Sequence, residues 1–200
     1  MESVRAAYGE MAAQYIDLFA TTSAMRRDDL DLIERASSGV SGAVLDVGCG
    51  PGHLTVHLRS LGIDTIGVDL VPEFIDHARA VDPRGRYLLG AIPHLPVPDA
   101  AASGLVAWYS LIHLPPSCID AALAELRRTI APGGTLVVGF FAGTTQRSFA
   151  HAVTTAYCWP VDEMSARLVR AGFAPTSHEE RAGVDEAGRR PHGAVVAVAV

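Results

Sequence analysis

Residues 44 to 53 read VLDVGCGPGH: an apolar run interrupted by Asp46, then Gly48, Gly50 and Gly52 with only Cys49 and Pro51 between them. The run before the first glycine has the character of a short strand buried on both faces, and a helical pattern opens at His53. A strand that passes into a helix through three glycines requires backbone free of Cβ atoms, either to take a positive φ or to let a neighbour come close. Its amides, together with the positive end of the following helix, can then meet a ligand. This stretch decides the fold, because a strand, a glycine turn and a helix in that order begin a βαβ unit.

The same alternation continues outward from it. Thr65–Asp69, Tyr87–Leu89, Leu105–Tyr109 and Leu136–Phe141 are further apolar runs of strand length. Between them lie helical stretches at His53–Ser60, at Glu73–Ala80 and in CIDAALAELRRTI (118–130), where Ile119, Leu123, Leu126 and Ile130 recur at helical spacing. Parallel strands need a covering helix at each crossover, so the pattern predicts an α/β, doubly wound, mostly parallel sheet with helices on both faces. Pro132, Gly133 and Gly134 are expected to end the long helix. Ahead of the first strand, residues 2–36 read as two amphipathic helices, with Val4, Tyr8, Met11 and Tyr15 on one face. After the fifth strand, PVDEMSARLVRAGF (160–173) reads as a helix closed by Gly172, followed by a polar run through Arg190 and a last strand in GAVVAVAV (193–200). The proline-rich IPHLPVP (92–98) is a loop between the third and fourth strands, and no repeats are present.

Composition sets the class. Two hundred residues at 49% hydrophobic make one full-sized core, hence a single domain over 1–200. A net charge of -6 works against phosphate backbones and anionic membranes, so small or neutral partners are expected rather than nucleic acid or membrane. Cys49, Cys118 and Cys158 form neither a disulfide framework nor a metal knuckle, which fits a reducing cytoplasm. The N-terminal MESVRAAYGEMAAQ has no apolar core segment and no stretch is long enough to span a bilayer, so the chain is expected to be neither exported nor membrane-bound.

The glycine turn points to a cofactor, and its spacing narrows which. Dinucleotide binders use GxGxxG, but His53 stands where the last glycine is needed, and Asp46 on the strand suits a cationic ligand better than a pyrophosphate. VLDVGCGPG resembles the first motif of the class I S-adenosylmethionine-dependent methyltransferases. GVDL (67–70) resembles their second, and APGGTLVV (131–138) follows in order. The resemblance covers roughly residues 40–140, and the chain is similar to the bacterial small-molecule branch of that family. It implies a Rossmann-like, seven-stranded sheet with an antiparallel last strand, S-adenosyl-L-methionine as cofactor, and a division into lid helices (1–40), cofactor-binding core (41–142) and a substrate-side segment with C-terminal strands (143–200).

Carried over residue by residue, the resemblance assigns cofactor contacts to Asp46, Gly48, Cys49, Gly50, His53 and Leu54 around the first motif and to Asp69 and Leu70 at the second. Asp69, 19 residues after Gly50, would bind the two ribose hydroxyls. Gly90, Ala91 and Ile92 would meet adenine, although the family places an acid where Ala91 stands. Tyr109 and Ser110 would lie beside the methionyl part, and Tyr8 and Tyr15 on a lid helix would close over it.

Chemistry at the far end is written less plainly. AWYSLIHLPP (107–116) lacks both the Asn/Asp-Pro-Pro-aromatic pattern of DNA amino-methylating enzymes and the carboxylates of magnesium-dependent catechol-type enzymes, so metal-free, in-line transfer to a small-molecule O, N or C nucleophile is expected. Tyr109 and His113 are the candidate catalytic residues, His113 as a base if the acceptor must lose a proton, against the alternative of a helix-entry histidine satisfied by local hydrogen bonds. Phe141, His151, Tyr157 and Trp159 form an aromatic concentration expected to line the acceptor pocket, against the alternative that they only pack the loop. Asp28, Asp29 and Asp31 read as a solvated helix face, Arg189, Arg190 and His192 as solvated surface, against the alternative that they receive an acidic substrate, and His53 with His57 as too few ligands for zinc. Two rivals remain open: an NAD-dependent oxidoreductase, which the broken GxGxxG opposes, and a non-catalytic S-adenosylmethionine-binding protein. A monomer or homodimer fits either reading.

Overall fold

The computed structural model describes residues 1–181, 183 and 190–200. The glycine-turn unit forms β1 (Val44–Val47) and α4 (His53–Ser60), preceded by α1 (Glu2–Glu10), α2 (Ala12–Phe19), a short 3-10 turn (Thr22–Ala24) and α3 (Arg27–Ser38). There follow β2 (Thr65–Asp69), α5 (Pro72–Val81), β3 (Arg86–Leu89), β4 (Ala102–Trp108), α6 (Pro116–Thr129) and β5 (Ile130–Ala142). The chain closes with β6 (Arg147–Ala150), β7 (Thr155–Trp159), α7 (Val161–Arg170), β8 (Phe173–Arg181) and β9 (His192–Ala199). The parallel strands pair in the order β3, β2, β1, β4, β5; β9 joins β5 antiparallel and β8 joins β9 antiparallel. Those seven strands are the doubly wound sheet expected from the sequence, and its antiparallel members lie at the C-terminal end of the chain.

The period of two in β1 shows how the sheet buries both faces. Leu45 and Val47 join the core that contains Leu123, Leu126 and Met164 of α6 and α7. Val44 joins the core on the opposite face with Leu30, Ile33, Leu54 and Leu58 of α3 and α4. Asp46 shares that second face, and it is tolerated there because Thr55 of α4 donates its hydroxyl to the carboxylate at 2.6 Å.

Four local expectations are corrected. The N-terminal stretch forms three α-helices rather than two. The chain breaks at Met11, whose N–H bonds to the Tyr8 carbonyl, so Tyr8 and Tyr15 lie on successive helices. Pro132–Gly134 does not stop the long helix; α6 ends at Thr129 because Ile130 already pairs with Ala102. The register then jumps to Gly104 opposite Thr135, so the Pro-Gly-Gly makes a bulge in β5. The polar run after Gly172 is strand β8 as far as Arg181, an outer strand whose charged side chains guard the edge. The segment after β5 folds into a β6–β7 hairpin. Phe141 pairs with His192 of β9 on one edge, so its partnership with Cys158 puts β7 on the β4 side, just past the end of β4.

Candidate functional site

A cavity of about 780 Å³ opens at the carboxyl ends of β1, β2, β4 and β5, the edge where such sheets bind ligands. It falls within the size range of small-molecule and cofactor pockets, about 300–1,000 Å³. Its floor is the glycine turn. A Cβ at Gly48 would lie 2.4 Å from the Cβ of Ser110, so only glycine lets the ends of β1 and β4 converge there. A Cβ at Gly52 would lie 2.8 Å from that of Ala78, which makes the third glycine a helix-packing residue. Gly50 instead lines the cavity, where an added Cβ would meet only the Tyr15 ring, at 3.8 Å.

Asp69 ends β2 at the cavity wall. Its Oδ2 accepts the Gly50 N–H at 2.8 Å and its Oδ1 the Val71 N–H at 2.9 Å, which ties the glycine turn to the second strand. Burial raises its carboxyl to about 6 against an ordinary 3.8, and the backbone hydrogen bonds oppose the rise. Leu70, Gly90, Ala91 and Ile92 continue the wall. In two residues that line the cavity a polar atom, Nδ1 of His53 and Oγ of Ser110, is buried with no hydrogen-bond partner among the described residues. Buried polar atoms ordinarily find partners, so both are suited to a polar ligand. Burial holds His53 neutral, with its pKa near 4.

The roof is α1 and α2. Tyr8 and Tyr15 pack edge to face at 5.4 Å and both rest on Phe74 of α5, at 6.0 and 5.1 Å. The Tyr8 hydroxyl reaches Nε2 of His113 at 2.9 Å, while Nδ1 of His113 lies 2.8 Å from the carbonyl of Thr155. A carbonyl only accepts, so Nδ1 carries the proton, Nε2 is the acceptor, and Tyr8 donates. Both nitrogens of His113 are therefore occupied by protein groups. Burial lowers its pKa.

At the opposite end, Tyr109 follows β4 with φ 56, and its N–H bonds to the carbonyl of Gly139. Its hydroxyl lies 2.6 Å from Nδ1 of His192, which is 3% exposed at the start of β9. Nε2 of His192 makes no hydrogen bond among the described residues and lies 3.9 Å from Oδ1 of Asp29, itself paired with Arg181. Burial first, then Arg181 and Arg26, push the His192 pKa down to about 3. Phe141, 5.0 Å from the Tyr109 ring, and His151 complete this aromatic end.

Most of the residues picked out from the sequence thus converge on one cavity: Tyr8, Tyr15, Gly48, Gly50, His53, Asp69, Leu70, Gly90, Ala91, Ile92, Tyr109, Ser110, His113, Phe141 and His151 line it. Asp46, Cys49, Leu54, Tyr157 and Trp159 are not among its lining residues. Asp46 is held beneath the turn by Thr55, and burial raises its pKa to about 7. Cys49 packs with Ile75, Ala78 and Tyr87, Leu54 is core beside Leu58, and Trp159 is 1% exposed with Arg167 stacked on its ring. Tyr157 is held by its backbone, which bonds to Ile112 and pairs with Ser148.

Sequence reasoning missed Phe74, Asp29 and His192. Asp29 and His192 are buried, not solvated, and Arg190 stacks on Phe149 at 4.3 Å, whereas Arg189 lies outside the described residues. The one signal for Asp29 was its place three and four residues ahead of Leu32 and Ile33, which puts it on the inward face of α3. His57 bonds Glu34 at 2.8 Å on the surface of α4, away from any ligand role with His53.

Comparison with known proteins agrees with this geometry. A family described as a methyltransferase domain matches residues 44–134. A malonyl-[acyl-carrier protein] O-methyltransferase of Pectobacterium atrosepticum is 30% identical over 176 residues, covering 80% of this chain and 68% of the relative. That of Yersinia pestis is 31% identical over 141 residues, covering 70% of this chain and 51% of the relative, so the chain spans about half the length of some curated relatives it matches. Among solved structures, the 1,6-didemethyltoxoflavin-N1-methyltransferase of Burkholderia thailandensis, bound to 1,6-didemethyltoxoflavin and S-adenosylhomocysteine, superposes with a TM-score of 0.82 at 22% identity, covering all of this chain and 88% of that one. With the Pectobacterium atrosepticum relative 30% identical and covered over two thirds of its length, the chain belongs to the class I S-adenosylmethionine-dependent methyltransferases.

Proposed function

We propose that this chain moves the methyl group of S-adenosylmethionine to a small-molecule oxygen, nitrogen or carbon nucleophile that enters beside Tyr109, Phe141 and His151. The observation that carries this reading is the single cavity running from the glycine turn and Asp69 to that aromatic end under a helical roof. A roofed cavity of this size suits a cofactor with a compact acceptor better than a polymer.

The cofactor supplies an electrophilic methyl on a sulfonium whose leaving group is a neutral thioether. The chain's own residues bind and orient. Each Asp69 oxygen has a lone pair beyond the one it gives to Gly50 or Val71, which makes the carboxylate a bidentate acceptor for the ribose diol. His53 and Ser110 are the partners for the amino-acid part, Leu70 and Ile92 flank adenine, and its edge is read by the backbone at Ala91 rather than by an acid. Tyr8 and Tyr15 act as a lid that excludes water. The bond from Tyr8 to His113 latches that lid, which makes His113 a positioning residue. In-line transfer then depends chiefly on holding the acceptor near the methyl carbon, where effective molarities reach about 10⁵ M or more.

The test uses S-adenosylmethionine labelled in its methyl group, incubated with the protein and a bacterial extract that is afterwards divided by size. Label in the small-molecule fraction is expected; label confined to protein or nucleic acid would refute the substrate class. Calorimetry with S-adenosylhomocysteine and with NAD separates this reading from the oxidoreductase.

A further inference from the structure

We propose that Arg190 selects an acceptor carrying an anionic oxygen group, a carboxylate or a phosphate, and binds that group at the aromatic end of the cavity. This rests on the methyl-transfer reading of the same cavity. Three arginines line the cavity, Arg26, Arg181 and Arg190. Arg26 reaches Asp28 at 3.3 Å and Arg181 reaches Asp29 at 2.5 Å. Arg190 has a ring contact with Phe149 but no ion pair or hydrogen bond among the described residues, so its charge is the one left for a ligand.

The fold holds Arg190 at this end from two sides. The carbonyl of the next residue, Pro191, accepts the Ala142 N–H at 3.0 Å, which fixes the chain against the end of β5 as it enters β9. The guanidinium carbon lies 4.3 Å from the centroid of the Phe149 ring of β6, a cation–π contact that occupies the planar face. A guanidinium held by its face keeps the N–H donors along its edge, the fork that matches two oxygens of a carboxylate or phosphate. Phe141 stands 5.2 Å from Phe149 and 5.8 Å from His151, so the body of the acceptor meets ring surfaces beside the charge.

His151 supplies a second donor. Its Nδ1 accepts the Val153 N–H at 3.5 Å, so in the neutral ring Nε2 carries the proton. Burial first, then His113 and Arg190, lower the His151 pKa and keep the ring in that neutral form. An anion beside the two residues is attracted by the guanidinium and hydrogen-bonded by the imidazole. The carboxylates of the cavity wall do not compete for Arg190: Asp29 is held by Arg181, and Asp69 stands at the glycine-turn end. Arg190 is exposed, so the anion sits on the solvent side of the cavity and leaves the rest of the acceptor for the ring-lined interior. An exposed ion pair alone contributes little, and selection therefore depends on the fork and the second donor acting together.

Benzoate and benzyl alcohol, which share a ring and differ in charge, test the site directly. Titrated into the protein with and without S-adenosylhomocysteine and followed by NMR of the His151 ring, benzoate should bind about tenfold tighter than benzyl alcohol. Arg190→Gln should remove that preference and Arg190→Lys should restore part of it, with S-adenosylhomocysteine affinity unchanged in both. Equal binding of the two probes, or a preference that survives Arg190→Gln, overturns the proposal. In the labelled transfer the acceptor should prove to be an acid. Its label then either stays on an anion-exchange resin or, where the carboxylate itself is methylated, leaves as methanol in mild alkali. Phosphatase treatment that frees label from the resin identifies a phosphate, and label that remains identifies a carboxylate. A labelled product that is neutral and stable to alkali overturns the proposal. Failure to bind S-adenosylhomocysteine or to transfer label counts against the methyl-transfer reading instead, and the benzoate preference in the unliganded protein then still decides the anion site.

Discussion

Asp69 serves the fold with the same two oxygens that the proposed diol binding would use. Its amide bonds to Gly50 and Val71 set the glycine turn against β2, and burial raises its carboxyl to about 6. The proposed diol binding needs the ionised form, which is the better acceptor, so affinity for S-adenosylhomocysteine should fall about tenfold between pH 7 and pH 5 as the carboxyl protonates. Calorimetry across that range checks it. Asp69→Asn should flatten the dependence and cost about 1.5–3 kcal/mol in affinity at pH 7. The sign for folding is opposite. A carboxyl raised from 3.8 to about 6 binds its proton in the folded state first, so this group's contribution to stability grows as pH falls through 6 toward 3.8. A cofactor affinity that stays level from pH 7 to pH 5 in the wild type would remove Asp69 from the binding reading.

At the scale of elements, the roof and the hairpin behave differently. Helices α1 and α2 rest on Phe74, a partly apolar contact completed by one side-chain hydrogen bond to His113. Segments with few buried contacts open locally at low cost. S-adenosylhomocysteine should slow amide exchange across residues 2–20, and Tyr8→Phe should weaken that protection by about 0.5–1.5 kcal/mol, the net worth of one hydrogen bond. Equal exchange with and without the ligand would identify a permanently packed helix pair. The β7 strand is the reverse case, because it carries Trp159 into the main core beside Val161 and Met164. Trp159→Ala should cost about 3–5 kcal/mol of stability in denaturant titration. The same variant should leave S-adenosylhomocysteine affinity unchanged, where a pocket-lining tryptophan would show the opposite pattern.

For the whole molecule, the cavity wall draws on elements from α1 to the start of β9, so a bound ligand couples segments far apart in sequence. A ligand that binds only the folded state adds about 2.7 kcal/mol at 100 times its dissociation constant. For a chain of this length that is a rise of about 5–10 °C in Tm. S-adenosylhomocysteine should produce it in a thermal melt and NAD should not. No helix among the described residues is long and apolar enough to cross a membrane.

The sequence by itself determined the sheet and the proposed cofactor end of the cavity. Parallel strands announce themselves by local apolar runs, and the glycines and Asp69 sit at positions that a strand end and a turn define without reference to anything distant. Where local signal misled, a long-range partner had prevailed: Ala102 drew Ile130 into β5, and β9 drew the polar stretch before Arg181 into an edge strand. Trp159 read as pocket lining because composition cannot tell which face of a strand an aromatic takes. At the proposed acceptor end, Tyr109, Phe141 and His151 were legible in the sequence, but the burial of Asp29 and His192 beside them was decided by tertiary structure. Asp29, Tyr109 and His192 come from α3, the end of β4 and the start of β9, and only the return of β9 along β5 brings them together. Their chemistry depends on burial and on distances of a few ångströms between residues up to 163 positions apart, and no spacing along the chain encodes either.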